Sequence, residues 1–213
     1  MFRKKTRGVE EDPDAGQIDW LGWKLLHSIG IAADRLVDQN PSSGLKIAKM
    51  FETLVVAVSK IHPCSVCRTH MSRFDQPADV PGKSFEWSVA LHNNVNGRTG
   101  KPILSLNDAK AHWINKVPIL DEILEFFRLT ASKAGHTKLA DSSHKPLDWT
   151  HASVRQSLEN LQILTEAGGQ GLALKRAFQR FPLPRVFHGS RFDVEYFTRL
   201  KLLVVNELKY PNV

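Results

Sequence analysis

The sequence has only two cysteines among its 213 residues, and they stand three positions apart, at Cys64 and Cys67. So close a pair cannot supply the framework of bridges that holds small secreted domains together. A bridge between them would also close too small a loop to restrain much of the chain. The pair is therefore chemically active, metal-binding or incidental.

Long apolar runs and a secretory signal are missing as well. The longest apolar run lies around residues 53–58, which is far too short to span a bilayer. The basic residues 1–7 are not followed by an apolar segment of the kind that a signal peptide requires. We therefore expect a soluble protein with no membrane partner.

Signatures of nucleic-acid binding are absent from the sequence. The net charge of +7 favours acidic partners or anionic cofactors. However, the chain lacks an aromatic and glycine-rich RNA-binding motif, a second cysteine–histidine pair at zinc-finger spacing and a basic heptad region. We therefore do not expect nucleic-acid binding as the main role.

Alternation of apolar and polar residues, which marks β-strands, is also missing, and apolar residues recur every three or four positions instead. This spacing predicts five helices in the first half of the chain, at about residues 18–38, 45–60, 64–74, 84–97 and 106–117. Ser84 and Asn107 are the candidate N-caps of the last two helices. We expect a small helical bundle over residues 18–117, preceded by a disordered tail over residues 1–17.

The second half of the chain gives a weaker but still helical pattern. Further helices are predicted at about residues 119–131, 150–167, 170–181 and 192–208, with a polar loop over residues 136–145. We expect residues 118–213 to form a helical extension of unknown role, with packing or oligomerisation as its default function. The predicted fold class is therefore all-α throughout.

The two cysteines lie in the stretch H-P-C-S-V-C-R-T-H, from His62 to His70. Two thiolates and two imidazoles are the right number of ligands for tetrahedral zinc, but nine consecutive residues cannot easily wrap one ion. Pro63 predicts a helix start, which places Cys64 where backbone N–H groups and the helix dipole stabilise a thiolate. Arg68 adds positive potential. The stretch alone leaves a metal site, a redox disulfide and a pair of buried thiols open.

Motifs on either side of the pair occur in a distinctive order. Trp23-Lys-Leu-Leu-His27 precedes it, and His92-Asn-Asn-Val-Asn96, Gly100-Lys-Pro102 and a final Trp113 follow it. Over about residues 18–117 these motifs resemble those of the Erv/ALR family of FAD-linked sulfhydryl oxidases. The resemblance implies a four-helix bundle with a short fifth helix that holds FAD at one end.

The resemblance also implies roles for individual residues. Cys67 would lie next to the flavin and pass two electrons to it, and Cys64 would be attacked by a substrate thiolate. Reduced FAD would give its electrons to oxygen, which yields hydrogen peroxide. No metal is expected. The residues implied in FAD binding are Trp23, His27, His70, His92, Asn93, Val95, Asn96, Lys101 and Trp113.

These residue types suit a flat, anionic cofactor. Tryptophan stacks on flat rings. Asn93 and Asn96, three apart on a helix, can present their amides on one face. Lys101 supplies a point charge for a pyrophosphate or ribose region. Taken one at a time, a tryptophan is more often a core residue, the asparagines suit a helix C-cap region and Lys101 is a surface charge. Their joint order therefore carries the interpretation.

The sequence departs from the family pattern at several positions. His62 stands where members carry a tyrosine, which we expect to alter the pH profile because histidine titrates near neutrality. A second C-x-x-C that delivers electrons in many members is missing, so the substrates are thiol-containing proteins or a partner dithiol acting directly at Cys64. Val89 and Leu106 stand at the positions of a structural disulfide, which apolar packing would replace.

The resemblance further implies a homodimer through the first two helices, with Leu36, Leu45 and Phe51 as interface candidates. Members from large viruses also combine a single C-x-x-C with extra helices, so a cytoplasmic or viral setting is favoured over the mitochondrial intermembrane space. Two alternative functions stay open: a scaffold that kept the fold and lost turnover, and a zinc-binding module.

Overall fold

The computed structural model describes residues 15–115, 120–136, 147–166 and 169–210. Within these ranges the regular structure is helical and contains no strand, which confirms the all-α class with a helical extension. The helices are α1 (Ala15–Gln39), α2 (Gly44–Ile61), α3 (Ser65–Ser72), α4 (Ser84–Thr99), α5 (Leu106–Trp113), α6 (Leu120–His136), α7 (Ala152–Leu164), α8 (Gly171–Arg180) and α9 (Arg191–Lys209). None of them has the length and apolar character needed to cross a bilayer.

The start of α1 differs from the predicted boundary. The helix begins at Ala15, so residues 15–17, which the prediction gave to a disordered tail, are helical. Residues 1–14 of that tail lie outside the described residues. Of the predicted polar loop over residues 136–145, His136 is instead the last residue of α6, and residues 137–145 lie outside the described residues.

The start of α4 is held by a side chain from another helix. Ser84 is the first residue of α4, and Lys83 occupies the cap position without a capping side-chain bond, so the predicted Ser84 cap is wrong. The Asp34 carboxylate on α1 instead accepts the backbone N–H groups of Ser84 at 2.8 Å and Phe85 at 3.0 Å. Because a carboxylate favours a helix N-terminus, this contact ties the two helices together.

The cap of α5 also differs from the prediction. Ser105 precedes the helix, and its hydroxyl oxygen accepts the backbone N–H of Asp108 at 3.1 Å. Asn107 lies inside the helix, so its predicted capping role is wrong. Serine and asparagine are both good caps, and the local sequence does not show which of them has the extended backbone that capping requires.

The α1 helix is the centre of the first half. It packs against α4 and α2, and α2 packs against α3. The α1 and α4 helices approach closely at Gly30, where an added Cβ would lie 3.0 Å from the Cα and N atoms of Phe85. This glycine allows the two helix backbones to approach, and so brings their side chains together.

The second half of the chain covers the first. The α7 helix packs along α2, α6 packs against α1, and α9 packs against α6 and α8. One buried apolar cluster includes residues from both halves, among them Leu25, Phe51, Phe126 and Phe197. Phe51 is fully buried in this core, whereas Leu45 is 61% exposed. The homodimer stays a prediction. Phe51 packs in the interior of its own chain and is therefore not available as an interface residue.

Candidate redox site

The two cysteines are joined as a disulfide at the start of α3. Cys64 is the N-cap residue, with extended backbone angles (φ −68°, ψ 108°), and its Sγ accepts the backbone N–H of Cys67 at 3.1 Å. Pro63 precedes the cap and suits this break before the helix. Cys67 is 8% exposed, whereas Cys64 is half-buried. The bond therefore has one sulfur more open to solvent than the other.

His62 and Asp19 lie beside the disulfide. The His62 Nδ1 atom accepts the backbone N–H of Cys64 at 3.2 Å, and its Nε2 atom lies 3.5 Å from Asp19 Oδ1. One His62 ring nitrogen, one Asp19 carboxylate oxygen and the two Sγ atoms all lie within 4.8 Å of one another. Sequence reasoning missed Asp19. A usable signal was its place four residues before Trp23, on the same face of α1.

The charge state of His62 follows from its burial. Desolvation, with the nearby charge of Arg68, lowers the pKa of His62 to about 4. The Arg68 guanidinium donates to the backbone carbonyls of His62 at 2.5 Å and Pro63 at 3.0 Å. At neutral pH the imidazole is therefore uncharged. Because its Nδ1 accepts a hydrogen bond, its proton is on Nε2 and points toward Asp19.

Asp19 is held in a mixed environment. Its side chain is 46% exposed. Burial of the other part raises the pKa of Asp19, and the charge of Lys101 acts in the opposite direction. A carboxyl group that is both partly desolvated and open to water can take up a proton and pass it to solvent.

The structure does not gather the four ligands considered for a zinc site. His70 lies apart, with its Nδ1 atom 2.9 Å from an Arg98 guanidinium nitrogen, in an exposed contact. The sulfur atoms of Cys64 and Cys67 share a bond, so neither is a thiolate in this state.

Four predicted residues form a cluster of rings near the α1–α4 crossing. The rings of Trp23 and His92 are parallel, with centroids 3.9 Å apart and an interplanar angle of 2°. The His27 ring lies 5.2 Å from that of His92 and 4.9 Å from that of Trp113. The predicted residues Trp23, His27, His92 and Trp113 therefore meet in space although they come from three different helices.

A chain of hydrogen bonds fixes the histidine tautomers in this cluster. The Ser88 hydroxyl donates to the backbone carbonyl of Phe85 at 2.7 Å, so its oxygen accepts from His27 Nδ1 at 2.8 Å. The Nε2 atom of His27 must then accept from His92 Nδ1 at 2.9 Å. His92 is left with Nε2 as a hydrogen-bond acceptor. Ser88 was missed in the sequence, although it lies one helical turn before His92.

Both of these histidines are neutral at physiological pH. Burial, followed by the charges of His92 and His112, lowers the pKa of His27 to about 3. Burial, followed by the charge of Lys101, lowers the pKa of His92 to about 4. The tautomer chain requires neutral rings, so the electrostatics and the hydrogen bonds agree.

The two asparagines hold the segment that follows α4. Asn93 donates to the backbone carbonyl of Leu104 at 2.8 Å and accepts its N–H at 3.1 Å. Asn96 donates to the carbonyl of Pro102 at 3.0 Å. Their contacts in this structure are therefore with the backbone, and a direct role in cofactor binding stays a prediction.

Lys101 stands at the start of the same segment. It follows Gly100, which ends α4 in the left-handed conformation at φ 68°. Lys101 is exposed, and its charge lowers the pKa of both Asp19 and His92. Its charge therefore acts both on Asp19, beside the disulfide, and on His92, in the ring cluster. Val95 is buried at 7% exposure and occupies a core position on α4.

The positions proposed to replace a structural disulfide lie in one apolar cluster. Val89 on α4 is buried in it, and Leu106 on α5 packs against it. The other buried members are Ile31, Phe85, Ala109 and Trp113. Apolar packing therefore holds α5 against α4, and this places Trp113 beside His27.

The fold and the site define a helical bundle with a disulfide-bonded C-x-x-C pair at the start of α3 and a tryptophan–histidine cluster near the α1–α4 crossing. Residues 21–114 match the model of the Erv1 / Alr family. This segment of the chain is therefore similar to that family, which confirms the resemblance.

One curated relative is the FAD-linked sulfhydryl oxidase ERV1 of Oryza sativa subsp. japonica. The chain is 28% identical to it over 95 residues, which cover 43% of this chain and 46% of the relative. The chain thus spans about half the length of the relative. No solved structure matches the chain. A match to a plant protein lends no support to a viral or cytoplasmic setting, which stays a prediction.

Proposed function

We propose that this protein is an FAD-dependent sulfhydryl oxidase that converts thiol pairs to disulfides through Cys64 and Cys67. The observation that carries the proposal is the Cys64–Cys67 bond at the start of α3, with one accessible and one buried sulfur. The match of residues 21–114 to the family model and the name of the rice relative support the coupling to FAD.

The thiol chemistry follows from the exposure of the two sulfurs. A substrate thiolate attacks Cys64 Sγ, the S–S bond breaks, and Cys67 leaves with the electron pair. A second substrate thiolate then attacks the substrate sulfur of the mixed disulfide and releases Cys64. The backbone N–H of Cys67, which donates to Cys64 Sγ, stabilises the thiolate of Cys64 as it leaves.

The ring cluster fits a flat, anionic cofactor. Trp23 and Trp113 offer aromatic faces, His92 Nε2 offers a fixed acceptor, and Lys101 offers a cation for a pyrophosphate. When bound, FAD accepts the electron pair from thiols and passes it to oxygen, which yields hydrogen peroxide. His70 and Val95 stay in the proposed cofactor site on the family resemblance alone.

Three other predicted residues act through their neighbours. His27 fixes the tautomer of His92. Asn93 and Asn96 hold the backbone on either side of Ile103, and so keep the segment that carries Lys101 in place.

The proposed partners are thiol-containing proteins or a partner dithiol protein, with oxygen as electron acceptor. A single C-x-x-C in the sequence means that substrates react at Cys64 itself. We also propose a homodimer. Sedimentation velocity of the full chain tests this, and a single monomeric species at micromolar concentration contradicts it.

A visible absorption spectrum of the purified protein, followed by a dithiol in air, tests the proposed activity. We expect a flavin spectrum that bleaches on addition of dithiothreitol and recovers as an oxygen electrode records consumption. Bound flavin without thiol-dependent oxygen consumption would indicate a scaffold. A colourless protein that holds stoichiometric zinc would support the zinc module instead.

A further inference from the structure

We propose that the Asp19 carboxylate accepts the thiol proton of Cys67 when the cysteine pair closes to a disulfide, and that His62 positions this carboxylate. This proposal rests on the proposed function, because the proposed function supplies FAD as the electron acceptor. Asp19 belongs to none of the motifs that carry the family resemblance, and His62 stands where members carry tyrosine.

The two sulfurs differ in how easily each one carries negative charge. Cys64 Sγ is half-buried, stands at a helix N-terminus and accepts a backbone N–H at 3.1 Å, so a thiolate there is stabilised. Cys67 is 8% exposed, and burial disfavours a thiolate. In the reduced pair, the proton therefore belongs on Cys67, and this sulfur needs a base before it can react.

Asp19 is placed to be that base. Its carboxylate oxygen lies within 4.8 Å of both sulfur atoms, a separation that one small side-chain movement or one water closes. Its 46% exposed side chain opens the path onward to solvent. Burial raises the pKa of Asp19 and so makes the carboxylate a better proton acceptor than an ordinary surface aspartate.

His62 holds the carboxylate in place without competing for the proton. The Cys64 N–H bond to Nδ1 directs the Nε2 proton toward Asp19, 3.5 Å away. The pocket for this ring exists because residue 22 is glycine: an added Cβ would lie 3.1 Å from His62 Nε2 and 3.2 Å from a ring carbon of Phe126. A glycine inside a helix costs about 1 kcal/mol relative to alanine, and here it makes room for the imidazole.

The charged groups around this pair come from three elements. Lys101 faces Asp19 from the segment after α4, and Arg68 faces His62 from α3. From α6, the neighbour of His62 is the apolar ring of Phe126, while Glu122 is paired with Lys24. The two cations favour the ionised carboxylate and the neutral imidazole, which are the forms that the proton transfer requires.

The step balances in electrons and protons. A Cys64 thiolate and a Cys67 thiol form one S–S bond and release two electrons and one proton. By the proposed function FAD takes the electrons, and the proton goes to Asp19 and from there to water. In the opposite direction, Asp19 returns the proton to Cys67 when a substrate reduces the pair.

The test uses a reaction that needs neither FAD nor oxygen. The full chain is reduced, desalted anaerobically and mixed with oxidised glutathione. Glutathione first forms a mixed disulfide at Cys64, and Cys67 then attacks this sulfur and expels glutathione thiolate. Acid quenching, alkylation and mass spectrometry follow the closure step from pH 5.5 to 9.5 in the wild type, Asp19→Asn, His62→Asn and Asp75→Asn. The Asp75 control is an exposed carboxylate after α3.

We expect Asp19→Asn to slow closure about tenfold to a hundredfold between pH 6 and 8, within the range for loss of a general base. The deficit should vanish near pH 9.5, where the Cys67 thiolate forms without a base. His62→Asn keeps an acceptor for the Cys64 N–H and should slow closure by a smaller factor. Asp75→Asn should match the wild type.

Closure by Asp19→Asn within twofold of the wild type from pH 6 to 8 would overturn the proposal. A deficit of equal size at every pH would overturn it as well, because it would show a displaced cysteine pair and not a missing base. The proposed function fails separately: a protein without thiol-dependent oxygen consumption can still show the Asp19-dependent closure, and an active oxidase can lack it.

Discussion

The buried histidine at the centre of the first half and the buried threonines of the second half are satisfied in different ways. In residues 15–115, the buried His27 bonds to Ser88 and His92, which are 61 and 65 positions away on another helix. In the later ranges, Thr130 and Thr165 donate to carbonyls three or four residues earlier in their own helices. Hydrogen bonds within one helix only satisfy a buried polar group. Hydrogen bonds between helices also fix the positions of side chains relative to one another, as a functional site requires.

The two halves also differ in what their aromatic rings pack against. The second half builds its interior from aromatic rings, with the Phe197 ring 5.4 Å from Phe187 and 5.6 Å from Phe127. The first half places its rings beside imidazoles at the α1–α4 crossing. We therefore expect substitutions in the aromatic interior of the second half to affect stability alone, whereas substitutions in the first half should also affect the chemistry.

The cysteines give the largest expected effect. Cys64→Ser and Cys67→Ser should each reduce dithiol-driven oxygen consumption at least a hundredfold, because neither variant can form the bond that carries the electrons. An oxygen electrode measures the rate, and the visible spectrum should still show flavin. Near-normal turnover in either variant would refute the proposed electron path.

Phe197→Ala should be the strongest purely structural change. The ring is fully buried, and its removal leaves a cavity, so the free energy of unfolding should fall by about 3–5 kcal/mol. Urea titration measures the loss, with Phe192→Ala as the matched control because Phe192 is 81% exposed on the same helix. Activity per bound flavin should not change. A loss of activity without a loss of stability would contradict the expectation that the interior of the second half contributes to stability and not to chemistry.

Acidification should weaken the first half through its buried histidines. The folded pKa values of His27 and His62, about 3 and about 4, lie below the unfolded value near 6.5. The unfolded chain therefore binds more protons between these limits. The stabilisation is complete above pH 6.5 and is lost as the pH falls toward 4, by up to about 1.4 kcal/mol per pH unit for each histidine.

Urea unfolding at pH 7, 6, 5 and 4 measures this slope. His27→Gln removes one of the titrating groups, so its slope should be shallower than that of the wild type. An unchanged slope in His27→Gln would mean that His27 is not the neutral, buried group that the structure describes.

Gly30→Ala should give the smallest effect of the four, at about 1–3 kcal/mol of lost stability, because the added Cβ meets the backbone of Phe85 at 3.0 Å. Gly16→Ala is the control, since no atom lies within 4 Å of an added Cβ there, and it should be neutral or stabilising by up to about 1 kcal/mol. Thermal melting compares them. Weaker flavin retention in Gly30→Ala would show that the close approach of α1 and α4 is needed for cofactor binding. It would thereby strengthen the contrast between the two halves.

Sequence reasoning succeeded where the signal is local. The helices, the place of Cys64 at a helix start and the order of the tryptophan, histidine and asparagine motifs follow from spacing over a few residues. It failed where the partner is distant in sequence: the Asp34 carboxylate that holds the start of α4 lies 50 positions from Ser84. Asp19 and Ser88 were missed for the same reason, because their partners are brought to them only by the packing of α1 on its neighbours.

The shared core also decides how the chain can be divided. The family segment ends at residue 114, yet the apolar side of α2, including Phe51, lies in a core that α6 and α7 help to close. A fragment truncated after residue 115 would present that apolar face to water, and contiguous exposed apolar surface of this kind promotes aggregation. We therefore expect a fragment that ends at residue 115 to be less soluble than the full chain, although it contains all the motifs of the redox unit.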